Sequence, residues 1–265
     1  MDMKEIGFDE SKKIMAEMLF RVASFCESHS IDYSVSYGTL IGCIRHKGFI
    51  PWDDDIDIIM RRSEYDRFID VFQDERYEII HGENTNNHAH IRVSDTHTIV
   101  QFKTDGLRSK FYKSGLWIDV FPIDKVPDSS RCFKWFKRSV WLLYELQLCG
   151  EFKQKRQPYR LLHYFCLPFS RSFLFSKLAQ KRMLKYNKKN TNTVASLGVW
   201  YLNFPPFPAS YMDEYIDVEF EGNKVKAIKQ YDSFLRGIYG DYMKYPPLEK
   251  QVPHHDFIPY WKENK

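Results

Sequence analysis

The sequence contains no run of eighteen apolar residues, so no segment of it reads as a bilayer-spanning helix. Its five cysteines, Cys26, Cys43, Cys132, Cys149 and Cys166, are far apart, odd in number and free of any C-x-x-C pair. That excludes a disulfide framework and a zinc knuckle, and predicts a reducing compartment. Twelve glycines and twelve prolines in 265 residues are too few for a fibrous or disordered chain. Met1 to Asp9 is acidic and lacks the apolar core of a signal peptide. These absences predict a folded cytoplasmic protein, docked at most on the inner face of a membrane.

What is present is unevenly charged. The chain carries a net +4, but Arg131 to Lys189 holds fifteen Lys or Arg against two acids, Glu145 and Glu151. A local excess of +13 points to an anionic partner, and leaves the remainder net negative. Trp135, Phe136, Trp141, Phe165, Phe169, Phe173 and Phe175 are interleaved with these cations, as at a lipid-facing surface. A helical cap with solvated charges is the plainer reading, and both stay open. No nucleic-acid-binding motif is present, so a nucleic-acid partner is disfavoured.

Apolar periodicity predicts a helix over 11–28, a strand at Tyr33–Tyr37, a short helix from Gly38 to Arg45 and a loop over 46–54. A buried strand at Ile56–Met60 and a helix over 63–74 follow, then strands at Tyr77–Ile80, His90–Ser94, Thr98–Phe102 and Leu116–Phe121. Residues 131–149 and 158–187 read as helices, broken near Pro158 and Pro168. Val218–Ala227 reads as a hairpin turning at Gly222-Asn223, 228–239 as a helix, and the tail from Gly240 as loop. The class is α+β. Residues 1–125 form the expected catalytic core, 126–190 a basic helical insertion, and 191–265 a C-terminal segment completing the site.

Trp52-Asp53-Asp54-Asp55-Ile56-Asp57-Ile58-Ile59-Met60 is the most informative stretch. Asp55 and Asp57 stand two apart at the mouth of an apolar strand, so alternation puts both carboxylates on one face, with Asp53 joining if the extended backbone starts early. Two unit charges 4 Å apart cost roughly 4 kcal/mol even at an effective dielectric of about 20. A hard divalent cation, magnesium or manganese, relieves that repulsion. Asp119, alone in the apolar run Leu116–Phe121, is the third expected ligand, or a base. A solvated acidic turn or a capping cluster is the competing reading, and the β-branched run after the acids argues against it. Gly38 and Thr39, at a strand-to-helix junction, are placed to meet a phosphate. With the two acidic strands, they match the plan of polymerase-β-type nucleotidyltransferases, a mixed sheet flanked by helices.

The run from Tyr37 to Ile58, YGTLIGCIRHKGFIPWDDDIDI, closely resembles the signature of the LicD family, which includes bacterial phosphocholine transferases and the eukaryotic fukutin-related ribitol-phosphate transferases. Arg92-Val93-Ser94-Asp95-Thr96, Trp117-Ile118-Asp119-Val120-Phe121-Pro122-Ile123-Asp124, and the C-terminal Tyr239-Gly240-Asp241-Tyr242-Met243, Pro246-Pro247 and His254-His255 resemble its other motifs. The likeness thins over 126–215, and Lys226-Ala227-Ile228 stand where the family often has prolines. The resemblance implies a nucleotidyltransferase-like fold, one or two divalent metals and a CDP-activated donor such as CDP-choline. The acceptor is then a hydroxyl of a cell-surface glycan (lipopolysaccharide, teichoic acid or capsule precursor), lipid-linked in some cases. Asp55, Asp57 and Asp119 are the expected catalytic and metal residues. Gly38, Thr39, Arg45, Lys47, Trp52, Asp53, Asp54, Arg92, Asp124, Asp241, His254 and His255 are the expected donor contacts. Asp124 also reads as a turn acid before Pro127. Two further classes fit the same residues: an NTP-dependent nucleotidyltransferase acting on a small molecule, and a non-catalytic module that binds membranes or glycans.

Overall fold

Ile14, Met15, Met18, Leu19, Val22 and Cys26 recur at helical spacing, and they are the buried side of α1, Phe8–Ser28. The helix starts three residues earlier than periodicity predicts, because Asp9 and Glu10 favour a first turn. The structure, a computed structural model, describes residues 4–81, 89–102, 114–151, 159–170, 172–198, 204–253 and 255–262. After α1 come β1 (Ser34–Val35), α2 (Tyr37–His46), β2 (Asp57–Arg61), α3 (Arg62–Val71), β3 (Tyr77–Ile80), β4 (Ile91–Asp95), β5 (Thr98–Phe102) and β6 (Trp117–Val126). The helices α4 (Ser130–Glu151), α5 (Tyr159–Ser170) and α6 (Leu174–Met183) follow. The chain then forms β7 (Thr193–Ser196), β8 (Phe207–Pro208), β9 (Tyr215–Phe220), β10 (Asn223–Ile228), α7 (Tyr231–Tyr239) and β11 (Phe257–Trp261).

The central sheet runs β1-β2-β6-β4-β3, with β7 also on β6 and β8 on β7. Only β2 and β6 pair in parallel; the other pairings are antiparallel. Ile58, Ile59 and Met60 are all fully buried, so both faces of β2 are covered. The long strand β6 was expected to stop at Phe121, before Pro122. It continues because the missing N–H of Pro122 falls in a gap, between the β4 pairing that ends at Val120 and the β7 pairing that begins at Ile123.

Several other expectations are corrected. The strand over Tyr33–Tyr37 shortens to two residues, and Tyr37 already opens α2. The hairpin turns at Glu221-Gly222, where both residues have positive φ (48° and 75°), the combination a two-residue type I′ turn demands. Ile228 therefore still belongs to β10, and α7 starts only at Tyr231. The segment 158–187 divides into α5 and α6, with Pro168 inside the last turn of α5 and Phe173 (φ 55°) opening α6. The tail is not all loop, since β11 pairs with β5 from Phe257↔Phe102 to Trp261↔Thr98.

One apolar cluster joins α1, the sheet and the C-terminal hairpin, including Met18, Ile58, Ile118, Phe220 and Leu235. A second, smaller cluster joins Val126, Phe133, Phe136, Val140, Tyr144, Ala179 and Met183 beneath α4 and α6. The two ends of the described chain are stitched together: Ile6 N–H donates to Pro259 O at 2.9 Å, and Trp261 N–H to Lys4 O at 2.9 Å.

Candidate active site

The site is built where β2 and β6 run side by side. Their register sets Asp57 beside Asp119, and the β4–β6 register sets Arg92 on the other side of Asp119. Three charged side chains thus form one row across three strands, about 4.8 Å apart per strand. Thr39, buried in the first turn of α2, accepts the Asp57 N–H on its hydroxyl at 2.9 Å, and the Ser36 N–H donates to Asp57 O at 2.9 Å. The mouth of β2 is therefore pinned to the start of α2.

The acids ahead of β2 do not follow strand alternation. Carboxylate oxygens of Asp53, Asp54 and Asp55 lie within 4.8 Å of one another, the one such group among the described residues that could hold a metal ion. Three consecutive residues converge because 53–56 is not regular strand. The trio expected from sequence, Asp55, Asp57 and Asp119, shares only Asp55 with it. Gly38 explains how Asp53 comes so near: a Cβ there would stand 2.7 Å from Asp53 Oδ2. The glycine expected to face a phosphate leans on a carboxylate. Beside it, Tyr37 holds φ 47°, a conformation costing a non-glycine residue about 1–3 kcal/mol, and its ring is held by Phe121, Phe204 and Phe234 at centroid distances of 5.8, 5.3 and 6.1 Å.

These carboxylates are poorly answered by cations. Burial, against the hydrogen bond it shares with Asp55, pushes Asp53 up to about 6. Burial and then Asp53 push Asp55 up to about 8. Burial and then Asp55 and Asp119 raise Asp57 well above the carboxylate range. Tyr239 is raised too, by burial and then by Asp57, Asp53 and Asp55.

Asp119 is the contrast within the row. Its Oδ1 accepts from Arg92 Nε and His90 Nε2, both at 2.8 Å, and its Oδ2 accepts from Trp117 Nε1 at 3.1 Å. Burial would raise it, but Arg92 and His90 hold it well below the ordinary range. Arg92 is itself buried, its guanidinium 4.1 Å from the Trp117 ring. His90 and Trp117 were absent from the expected site. The signal was strand parity with Arg92 and Asp119, and parity becomes readable only with the register in hand.

The C-terminal segment closes on the acidic loop. Asp54 Oδ2 accepts the His255 N–H at 3.0 Å, and Oδ1 lies 3.2 Å from His255 Nδ1. Burial would lower the His255 imidazole, but the Asp54 hydrogen bond and the Asp55 carboxylate outweigh it and raise its pKa. Arg45 donates to Tyr242 O at 2.8 Å and lies 4.6 Å from the Tyr245 ring; burial lowers its pKa, and nearby Asp53 opposes that. Trp52 is half-buried, 6.1 Å from Tyr245. Glu221 at the hairpin turn accepts the Phe49 N–H at 3.0 Å and so braces the loop from Lys47 to Trp52.

One expected contact stands elsewhere. Asp124 is not a turn acid: five residues beyond Asp119 on β6, it faces the opposite side of the sheet. It is fully buried there, taking Arg62 Nε and Nη2 at 2.8 and 2.7 Å and Asn187 Nδ2 at 2.6 Å. Asp241 is exposed just after α7, and Lys47 is exposed at the end of α2. His254 lies outside the described residues.

This site geometry can be set beside known proteins. Residues 30–155 match the family model described as LicD/FKTN/FKRP, nucleotidyltransferase domain. The chain is 33% identical over 262 residues to the lipopolysaccharide cholinephosphotransferase LicD of Haemophilus influenzae, covering 96% of this chain and 97% of that one. The chain belongs to the LicD family. Two uncharacterized rickettsial proteins share shorter segments with this LicD chain: one of Rickettsia typhi, 40% identical over 57 residues (20% of this chain, 18% of that one), and one of Rickettsia prowazekii, 51% identical over 37 residues (14% of each). The family model spans the whole LicD acidic site except its C-terminal wall, from Tyr239 to His255.

Proposed function

We propose that this LicD-family protein transfers phosphocholine from CDP-choline to a hydroxyl of a lipopolysaccharide, releasing CMP, on a nucleotidyltransferase-like fold that works with a divalent cation. The observation that carries this reading is the set of crowded carboxylates at Asp53, Asp55 and Asp57, raised by burial and by one another more than the nearby Lys12, His255 and Arg92 lower them. Such a site is completed by an external positive charge. Their hard oxygen donors suit magnesium or manganese. The name of the Haemophilus influenzae relative supports phosphocholine as the group and lipopolysaccharide as the acceptor.

In this reading Asp53, Asp55 and Asp57 hold the ion. Bound there, it would supply charge neutralisation for the donor diphosphate. Asp54 is committed to His255 and ties the C-terminal wall to the loop. Asp119 replaces neither ligand nor base. Held ionised by three donors, it is a weak proton acceptor, and its work is to fix Arg92, His90 and Trp117 along the site. Arg45, with Lys47, neutralises donor phosphate oxygens as the acceptor oxygen bonds to the distal phosphorus, its hydroxyl proton passes to solvent water and the bond to CMP breaks. Tyr239 and Phe204, with centroids 6.1 Å apart beside the acids, offer ring faces for a quaternary ammonium.

Incubation of the full chain with lipopolysaccharide acceptor, magnesium and either CDP-choline or CTP tests this, with product mass as the readout. Acceptor gaining a phosphocholine mass with CMP released is the expected result. Acceptor or small molecule gaining a nucleotide from CTP would replace it with the nucleotidyltransferase reading.

A further inference from the structure

The helix α5 turns its large apolar residues outward. Its buried side is made of His163, Cys166 and Ser170. Gln147 donates to Ser170 O at 2.9 Å, His163 Nδ1 lies 2.8 Å from Cys149 O, and a Cβ on Gly150 would stand 2.5 Å from Ser170 Cβ. Small and polar residues thus let α4 and α5 approach closely. On the opposite side, Leu161, Phe165 and Phe169 form an i, i+4, i+8 stripe that is 67%, 66% and 39% exposed. A helix on a water-facing surface does the reverse.

The neighbouring helices also expose apolar and basic side chains. Phe169 meets Phe175, at the start of α6, at 5.8 Å. Along α6 and the turn that follows it, exposed Leu174, Leu178 and Leu184 alternate with exposed Lys177, Lys181 and Lys185. On α4, exposed Trp135, Trp141 and Leu142 share a face with Arg131, Lys134 and Arg138, the last 5.9 Å from the Trp135 ring. Single exposed apolar side chains need no explanation, but ten of the eighteen large ones among the described residues fall on these three helices.

We propose that this face of α4–α6 docks on an anionic lipid bilayer. The Leu161–Phe165–Phe169 stripe enters the boundary between headgroups and acyl chains, and the surrounding lysines and arginines meet lipid phosphates. Charge selects the occupant. A second copy seated on the same face would set its own cations against these, whereas an anionic membrane complements them. The inference does not depend on the reaction assigned to the acidic loop, since it concerns binding alone.

Flotation of the full chain with phosphatidylcholine vesicles, and with vesicles containing phosphatidylglycerol, tests it at low and high salt. Sedimentation velocity without lipid runs alongside. Binding to the anionic vesicles that weakens with salt is the expected result. Reversal of Lys177, Lys181 and Lys185 to Glu lowers that binding by more than about 100-fold. The double variant Leu161→Gln/Phe165→Gln lowers it by about tenfold or more with the melting temperature unchanged, because both side chains already face solvent. Failure to bind anionic vesicles at low salt overturns the proposal. So does binding that both variants leave intact, or self-association that Leu161→Gln/Phe165→Gln abolishes in a chain that ignores vesicles.

Discussion

Asp124 and Asp55 are both removed from bulk water, yet the chain treats them in opposite ways. Asp124 receives two nitrogens of Arg62 and the amide of Asn187, so its charge is answered within the fold. Asp55 sits among Asp53, Asp54 and Asp57, and its pKa climbs to about 8. The first arrangement is architecture. The second, in the proposed reading, is balanced by a bound cation, which is how a binding site differs from a clamp.

The largest effect that can break this contrast is on transfer. Asp55→Asn or Asp57→Asn lowers phosphocholine transfer by about 1,000-fold while the far-ultraviolet circular dichroism stays that of the parent. Asp124→Ala does the opposite: it leaves Arg62 buried without its partner and costs about 3–5 kcal/mol in denaturant unfolding, with transfer per folded molecule retained. If Asp124→Ala abolished transfer in fully folded protein, the separation of the two faces of β6 would be lost.

The next effect is on pH dependence. Asp53 and Asp55 have folded values of about 6 and about 8, above the ordinary 3.8, so their neutral forms are the ones the fold favours. Their contribution is fully present below about pH 4 and is lost as pH rises through about 6 and about 8. Melting of metal-free protein across that window shows the decline. Added magnesium restores the melting temperature more at the alkaline end than at the acid end, and Asp55→Asn flattens the profile. A magnesium effect equal at both ends would speak against these carboxylates as the ligands. The smallest effect is at Gly38. Gly38→Ala forces Asp53 to move, costs about 1–3 kcal/mol of stability and lowers transfer several-fold.

The same contrast shows what was legible in the sequence. The short helix after Tyr37, the strand after Asp57 and the family signature across them were readable, since local periodicity and a contiguous motif suffice for both. Strand β6 was cut short at Pro122, because a proline stops a strand unless the pairing partners leave a gap at that residue. The assembly of His90, Arg92 and Trp117 on Asp119 depends on register between strands far apart in the chain, which no local pattern encodes. The convergence of Asp53, Asp54 and Asp55 was missed because alternation applies only to regular strand. Asp124 was credited to the site because the run from Trp117 to Asp124 resembles a family motif, but five residues along a strand from Asp119 is an odd step.

Manganese titrated into the full-length chain near neutral pH, followed by the loss of the free-ion paramagnetic resonance signal, addresses the central claim most directly. The account predicts saturable binding that Asp55→Asn and Asp57→Asn each weaken by at least about tenfold and that Asp124→Asn leaves unchanged. Binding equally strong in all four proteins, or none in the parent with CDP-choline present, would contradict it.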